Sequence, residues 1–507
     1  MNKNKLWRFF EILPGSLVWF SFVAPIVLSF IFPAVVATYI LIFDLYWLYK
    51  SILIGFYLIY GYRNLKRNRN IDWLNKLETI SLNESSVRDW SSIYQVMIYP
   101  MYKESFETLD ASIESVANSK FPLDRIIVVL ATEERVKGHA QKIAAELAEK
   151  YNKKFFAFLV TEHPDGIIGE NKAKGANVTW AAKRLRKFLD TKNLDYAKVV
   201  VTTADADSRI HPQYLACLTY KYVTVPNPDR SSFQPIPLYS NNIWHAPALS
   251  RIIAFGNSFW QMIEGSRPWR LINFATHAMS MKTLIDIDYW AVEVVNEDSR
   301  QFWRAYFKYN GDFNVVPIFV PIYMDAVLAE GYWETLKNQY LQKQRWAYGC
   351  EHFPYVVTES LKNNKISFYD KWIRVYRMFE GNFSWATASI YIAGVAWLPI
   401  IFGAGFKDTV LGANLMFIIR NLMVLTWIGI VISIYISILL LPPRPANYPK
   451  RKFVEMILQW VLMPIQAIFF SSFPAIDAQT RLMLGKYLGF RVTDKKAVVT
   501  QLEPLID

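Results

Sequence analysis

The sequence predicts an α/β domain inserted between N-terminal and C-terminal transmembrane helices, and three observations lead there. Apolar stretches lie towards both ends of the chain, one nearly uncharged from Pro14 to Tyr62 and three segments within residues 384–474. Between them, short apolar β-type runs alternate with helix-period segments, the pattern of a parallel sheet with crossover helices. One run, Val199-Val200-Val201-Thr202-Thr203, carries no charge and leads into Asp205 and Asp207 at i, i+2. A run of that kind reads as a strand buried on both faces. Ligands bind beyond the carboxyl ends of such strands, so this pair stands where a hard cation and a phosphate would meet.

Composition agrees with two environments. The 507 residues are 53% hydrophobic and 16% aromatic, too apolar for an ordinary soluble protein, while 20% charged residues are too many for a wholly membrane-embedded one. Two cysteines, Cys217 and Cys350, give no disulfide framework and fit a reducing compartment. The net charge of +13 concentrates beside apolar segments, at Arg63, Lys66, Arg67 and Arg69 and at Arg444, Lys450, Arg451 and Lys452. That is a positive-inside flank facing anionic lipid, and no nucleic-acid motif accompanies it.

Taken in order, residues 1–66 read as a transmembrane hairpin with spans near 14–32 and 35–60, turning at Pro33, since a span needs about 20 apolar residues. Both flanks are basic, which puts them in the cytoplasm. Asp44 lies inside the second span and reads as an interhelical partner. Residues 67–90 are a linker, and residues 91–350 hold the α/β domain. Its predicted strands are Tyr94–Pro100, Arg125–Ala131, Phe155–Val160 and the organising run, with helices over Ser105–Asn118, Lys137–Tyr151 and Ala176–Phe188. His211, before Pro212, reads as structural, and residues 225–250 show no clear periodicity. Val292–Val295 reads as another strand, again ending in carboxylates, Glu297 and Asp298. Residues 351–383 include a basic amphipathic helix suited to a membrane interface. Residues 384–474 hold three apolar segments, near 384–406, 415–441 and 453–474, and residues 475–507 form a basic tail. Five spans would leave that tail outside; Pro464 and Pro474 permit the last segment to kink and return.

Several side chains outside the organising run carry chemistry. Gly169 to Gly175 is a glycine-containing loop with Lys172 and Lys174 at the start of a helix, a setting that favours an anion. On the helix Tyr332–Tyr348, Gln342, Arg345 and Trp346 share one face at i, i+3 and i+4. A guanidinium forks onto phosphate and an indole stacks on a sugar ring. A cation site, a carboxylate pair, lysines and this face together suit displacement of a diphosphate from an activated sugar.

In order and spacing, Asp205-Ala206-Asp207, Asn296-Glu297-Asp298 and Gln342-Lys343-Gln344-Arg345-Trp346 resemble the D-x-D, E-D and Q-x-x-R-W motifs of processive family 2 glycosyltransferases, the group of cellulose, chitin and hyaluronan synthases. Tyr99-Pro100-Met101-Tyr102-Lys103-Glu104 resembles that family's opening motif with Lys in place of Asn, and Phe490-Arg491-Val492-Thr493-Asp494-Lys495 resembles the gating loop of cellulose synthases. The resemblance implies a cytosolic GT-A (Rossmann-like) domain, a hexosyltransferase inverting a UDP-sugar onto a growing β-linked polysaccharide, and residence in the cytoplasmic membrane of a bacterium. Carried over, Asp298 is the general base beside Glu297, and Asp205 and Asp207 hold Mg²⁺ or Mn²⁺. The donor nucleotide would meet Pro100, Tyr102, Glu104, Glu133, Lys172 or Lys174, Asp205, Gln342 and Arg345, with Phe490, Val492, Thr493 and Lys495 closing over it. Trp346 and His277 fall to the acceptor, a glycan or a lipid-linked sugar. A closing tail loop also requires the tail to be cytoplasmic.

Two readings compete from other classes. A non-catalytic membrane scaffold would be signalled by a lost carboxylate in the metal or base motif, and none is lost. A transporter needs ionisable residues in several spans, and only Asp44 and Arg420 approach that.

Overall fold

A computed structural model describes residues 5–80, 89–446 and 448–489. The chain divides into two compact units. One comprises Gly61–His245 with Trp260–Ala326, the other Met1–Tyr60, Ala246–Phe259 and Val327–Leu488.

The first unit is built on an eight-stranded mixed sheet: β1 Tyr94–Pro100, β2 Ile126–Glu133, β3 Ala157–His163, β4 Val199–Thr203, β5 Arg209–Ile210, β6 Ser231–Leu238, β7 His277–Ser280 and β8 Asn314–Tyr323. Their spatial order is β3-β2-β1-β4-β7-β6-β8-β5. The first four are mutually parallel, β7 is antiparallel to both β4 and β6, and β8 is parallel to β6. Every residue of β2 and β4 is buried, as uninterrupted apolar runs demand when helices cover both faces. The helices Phe106–Ala117, Lys137–Tyr151 and Lys174–Thr191 supply that cover. The first is capped by Ser105, whose Oγ accepts from the Thr108 amide at 3.3 Å. Because β1 to β4 run parallel, their carboxyl ends open on one edge, which brings together residues 100–104, 133, 163 and 205.

Two expectations need correction. Residues 231–238, without visible periodicity, form β6, and β6 and β8 contain prolines at 235, 237, 317 and 321. Proline breaks a ladder by lacking an amide, and the register here shifts between Pro235 and Ile236 to absorb the defect. Val292–Val295 is not a strand. Its backbone is irregular, and Glu297 and Asp298 instead open the helix Glu297–Lys308. The carbonyls of Val292 and Glu293 are taken by the backbone and side-chain amides of Asn171, at 2.8 and 2.7 Å, so this segment spends its hydrogen bonds on a loop and not on a ladder.

Among the described residues five helical stretches are long and apolar enough to cross a membrane, Lys5–Ile31, Pro33–Arg69, Phe368–Phe402, Val410–Leu439 and Lys452–Met483, and all but the end of the second beyond Tyr60 belong to the second unit. Large apolar side chains such as Phe20, Ile42, Phe56 and Val431 stand more than half exposed along them, a surface suited to lipid. Residues 371–379 are continuous with the third stretch, within the helix Phe368–Gly394. The last stretch is broken, with a 3₁₀ turn at Gln459–Leu462 and a π turn at Ile468–Ser472. Its final part runs antiparallel to the first helix: Trp19 Nε1 donates to Thr480 Oγ1 at 2.9 Å, Arg8 to the Leu482 carbonyl at 2.9 Å, and Tyr487 OH to Glu11 at 2.9 Å. Tyr487 therefore lies at the same end of the bundle as Arg8 and Glu11. Gly15 permits this approach, since a Cβ there would stand 2.8 Å from the Gln479 carbonyl.

Candidate active site

The turn after β4 is fixed before any ligand arrives. Ala204 N donates to the Ile98 carbonyl at 3.0 Å, Ser112 Oγ to the Ala206 carbonyl at 2.7 Å, and Asn241 Nδ2 to the Asp207 carbonyl at 3.2 Å. Asp207 is 7% exposed and its Oδ2 accepts the Asp325 amide at 3.2 Å. Asp205 is more open, and its Oδ1 receives Lys174 Nζ at 2.6 Å. Of the two lysines between which the sequence left the choice open, Lys174 enters this cluster. Lys172 points elsewhere, to Asp165 at 2.7 Å, with a side chain 62% exposed.

Lys174 is the hub of a charge cluster. Burial alone would lower its ammonium, but Asp205, Glu297 and Asp298 outweigh burial and hold it above the usual lysine range. Glu297 is 6% exposed, and burial pushes its carboxyl up while Lys174 pulls it down. Gly175 makes the packing possible: a Cβ there would lie 2.5 Å from the Ala291 carbonyl and 3.0 Å from Glu297 Cβ. A second clasp joins the same two segments, with Thr179 Oγ1 donating to the Trp290 carbonyl at 3.0 Å.

Asp298 remains partly exposed at the head of its helix. Its Oδ2 accepts the Ala275 amide at 2.6 Å and Oδ1 accepts the Ser299 amide at 2.6 Å. Ala275 adopts φ +39°, a left-handed conformation that costs a residue with a Cβ about 1–3 kcal/mol. It is held there from both sides: Gln234 accepts the Phe274 amide at 2.9 Å and donates to the Thr276 carbonyl at 2.9 Å. Neither Gln234 nor Ala275 could be found from sequence, because β6 itself was hidden by its prolines.

His277 does not reach a surface. It is 1% exposed, its Nδ1 lies 3.2 Å from the Ala275 carbonyl and its Nε2 accepts from Trp290 Nε1 at 3.3 Å. In this position it supports the Ala275 turn from behind. Burial pushes its imidazole down to about 3.

At the carboxyl ends of β2 and β3 lies a cleft with about 360 Å³ of empty space, lined among others by Glu133, Arg135, His163, Glu170 and Lys172. Arg135 pairs with Glu133 and stands 4.1 Å from the centre of the Tyr102 ring. Glu104 accepts the Tyr102 amide at 2.6 Å, and burial raises its carboxyl. Pro100 closes β1 beside them. Among the described residues no group of three or more His, Cys, Asp or Glu side chains is arranged to hold a metal. Carboxylates such as those of Asp205 and Asp207 are the donor type that Mg²⁺ or Mn²⁺ combines with substrate phosphates and water.

In the other unit, Gln342 is 6% exposed on the helix Tyr332–Ala347 and lies 3.3 Å from Gln339 Nε2, while Arg345 and Trp346 are half-buried on the same helix. Phe490, Val492, Thr493 and Lys495 lie outside the described residues.

No family model matches the chain, and no curated protein matches it. Among solved structures, a mannosyltransferase from Pyrobaculum calidifontis in complex with GDP-Man and Mn²⁺ is similar at 12% identity and TM-score 0.41, over 79% of this chain and 99% of that one. S. aureus TarS 1–349 in complex with UDP-GlcNAc is similar at 14% identity and TM-score 0.36, over 82% and 99%. The functional reading below stands on the residues of this chain.

Proposed function

We propose that this chain is a membrane-integrated inverting glycosyltransferase of family 2 type that moves a sugar from a UDP-sugar to a growing β-linked polysaccharide. The observation that carries the reading is the convergence of Lys174, Asp205, Glu297 and Asp298 at one sheet edge. One buried cation among three carboxylates, beside a small cleft, is a poor way to stabilise a fold and a good way to receive a diphosphate. Cytosolic placement of this unit follows from the basic flanks of the apolar helices.

Asp298 would take the proton of the acceptor hydroxyl, with its orientation set by the Ala275 and Ser299 amides. A single displacement needs one base and no protein nucleophile, which gives inversion. Lys174 would screen the leaving diphosphate, and Glu297 would hold Lys174 in place. When bound between Asp205 and Asp207, Mg²⁺ or Mn²⁺ would supply further charge stabilisation to that leaving group. Tyr102, Glu104, Arg135 and Glu133 would border the nucleoside. Gln342, Arg345 and Trp346 carry the diphosphate and acceptor roles by resemblance, and so does closure by residues 490–495 from a cytoplasmic tail.

Transfer of a single sugar to a lipid-linked acceptor is the alternative within this reading, and export coupled to synthesis belongs to the polymerising form. The test is nucleotide release by the full chain in lipid nanodiscs across a panel of UDP- and GDP-sugars with Mg²⁺, Mn²⁺ or chelator. Metal-dependent UDP release from one donor supports the reading, and product size separates polymer from single transfer. Silence across the panel together with no UDP binding by calorimetry overturns it in favour of a scaffold.

A further inference from the structure

The helix Tyr332–Ala347 buries a lysine that makes no ion pair with a carboxylate among the described residues. Lys343 is 8% exposed. Its Nζ donates to Asn257 Oδ1 at 2.8 Å and stands 5.0 Å from the centre of the Trp346 ring and 5.8 Å from that of Trp385. One amide oxygen and two indole faces attract a cation, but they do not replace the water it lost. Burial accordingly pulls the Lys343 ammonium down to about 8.

The charged groups on the elements packed around it are committed elsewhere. Asp477, on the helix Phe473–Met483, pairs with Arg481 at 2.8 Å and takes the Gln344 amide. Glu380, on Phe368–Gly394, pairs with Lys50 and accepts from Ser384 at 2.7 Å. Arg251, on Ala248–Gly265, donates to Gln459 Oε1 at 2.6 Å and to the Ala246 carbonyl at 2.8 Å. On the lysine's own helix, Arg345 adds a second positive charge two positions on. The electrostatic balance around Lys343 is therefore short of an anion.

The surroundings also say what sort of molecule would bring one. Lys343 and Trp346 are i, i+3 neighbours on one helix face. Trp385 Nε1 donates to Ser471 Oγ at 2.9 Å, and Ser389 Oγ donates to the Ala467 carbonyl at 2.9 Å, so hydroxyls flank the second indole. Indole faces and hydroxyls are the walls a sugar ring meets; a buried ammonium among them selects a sugar or carrier with a negative group.

We propose that the acceptor of this enzyme bears a carboxylate or a phosphate that docks on Lys343 between Trp346 and Trp385. The inference rests on the reading of Trp346 as the acceptor platform. The anion has two chemical sources, a uronic acid within the glycan or the phosphate of a lipid carrier.

Two matched probe pairs separate them, measured by calorimetry on the full chain in nanodiscs of zwitterionic lipid: β-1,4-linked tetraglucuronate against cellotetraose, and farnesyl phosphate against farnesol. One anionic probe should bind at least about tenfold tighter than its neutral twin, and the pair that shows it names the source. Lys343→Met should abolish that preference and Lys343→Arg should keep it. In the wild-type chain, without any substitution, the preference should fall as pH rises from about 7 to about 9.5, because the anion loses its cation. No charge preference in either pair, or one that survives Lys343→Met, overturns the proposal. UDP binding in the same samples separates the two failures. UDP bound without anion preference ends this inference and leaves the transferase reading standing; loss of both ends both.

Discussion

Lys174 Nζ lies 2.6 Å from Asp205 Oδ1, and the residue that follows it, Gly175, leaves no space for a Cβ beside Glu297. One step of chain thus sets both the charge and the shape of the cluster. The helix start at Lys174 delivers the ammonium to one carboxylate while its glycine lets the other pack against the backbone.

Lys174→Met should cost stability on the order of 3 kcal/mol, because it strands buried carboxylates without their cation, and should lower turnover by about 100-fold or more. Lys172→Met removes only an exposed pair with Asp165 and should change stability by less than about 1 kcal/mol. Thermal unfolding and UDP-release rates on the two variants check the contrast; equal effects would mean that Lys174 has no special role.

Gly175→Ala places a methyl 2.5 Å from the Ala291 carbonyl. Backbone cannot rotate away as a side chain can, so the segment carrying Glu297 and Asp298 must shift. A loss of about 1–3 kcal/mol in stability should accompany a fall in turnover larger than the fall in UDP affinity.

Asp298→Asn keeps an oxygen to accept from the Ala275 amide, so the turn should survive. Turnover should drop by about 100- to 10,000-fold with UDP affinity nearly unchanged. Intact turnover with UDP still bound would remove Asp298 from the base role.

His211 offers a pH test outside the cluster. Its Nδ1 accepts the Gln213 amide at 3.2 Å, and burial, aided by the Arg69 charge, pushes the imidazole down to about 4. A group depressed on folding contributes stability above its unfolded value, near 6.5, and loses it as pH falls towards 4. Acidification across that window should therefore destabilise the wild-type chain by on the order of 2–3 kcal/mol more than His211→Asn, which keeps an acceptor without titrating. Unfolding midpoints at a series of pH values decide it.

Legibility in the sequence followed the physics of each element. β1, β2 and β4 were visible because a strand covered on both faces must be apolar throughout. β6 and β8 were not, since Pro235, Pro237, Pro317 and Pro321 speak against a strand until a partner is known to tolerate them. The acidic pair at 297–298 was visible as chemistry but misplaced as structure: the valine-rich run Val292–Val295 before it looked like a strand, and only the Asn171 amides show where the Val292 and Glu293 carbonyls are spent.

By itself the sequence determined that long apolar helices flank an α/β segment along the chain, that carboxylates follow β4, and that one helix bears Gln342, Arg345 and Trp346. Those depend on composition, periodicity and spacing within short stretches of chain. Tertiary structure decided that Lys174 and not Lys172 meets Asp205, that His277 stands behind the Ala275 turn, and that Lys343 is a buried cation with no carboxylate paired to it among the described residues. Each of these turns on which distant segment fills the space beside a side chain, and burial and partnership, unlike periodicity, are set by the packing of the whole unit.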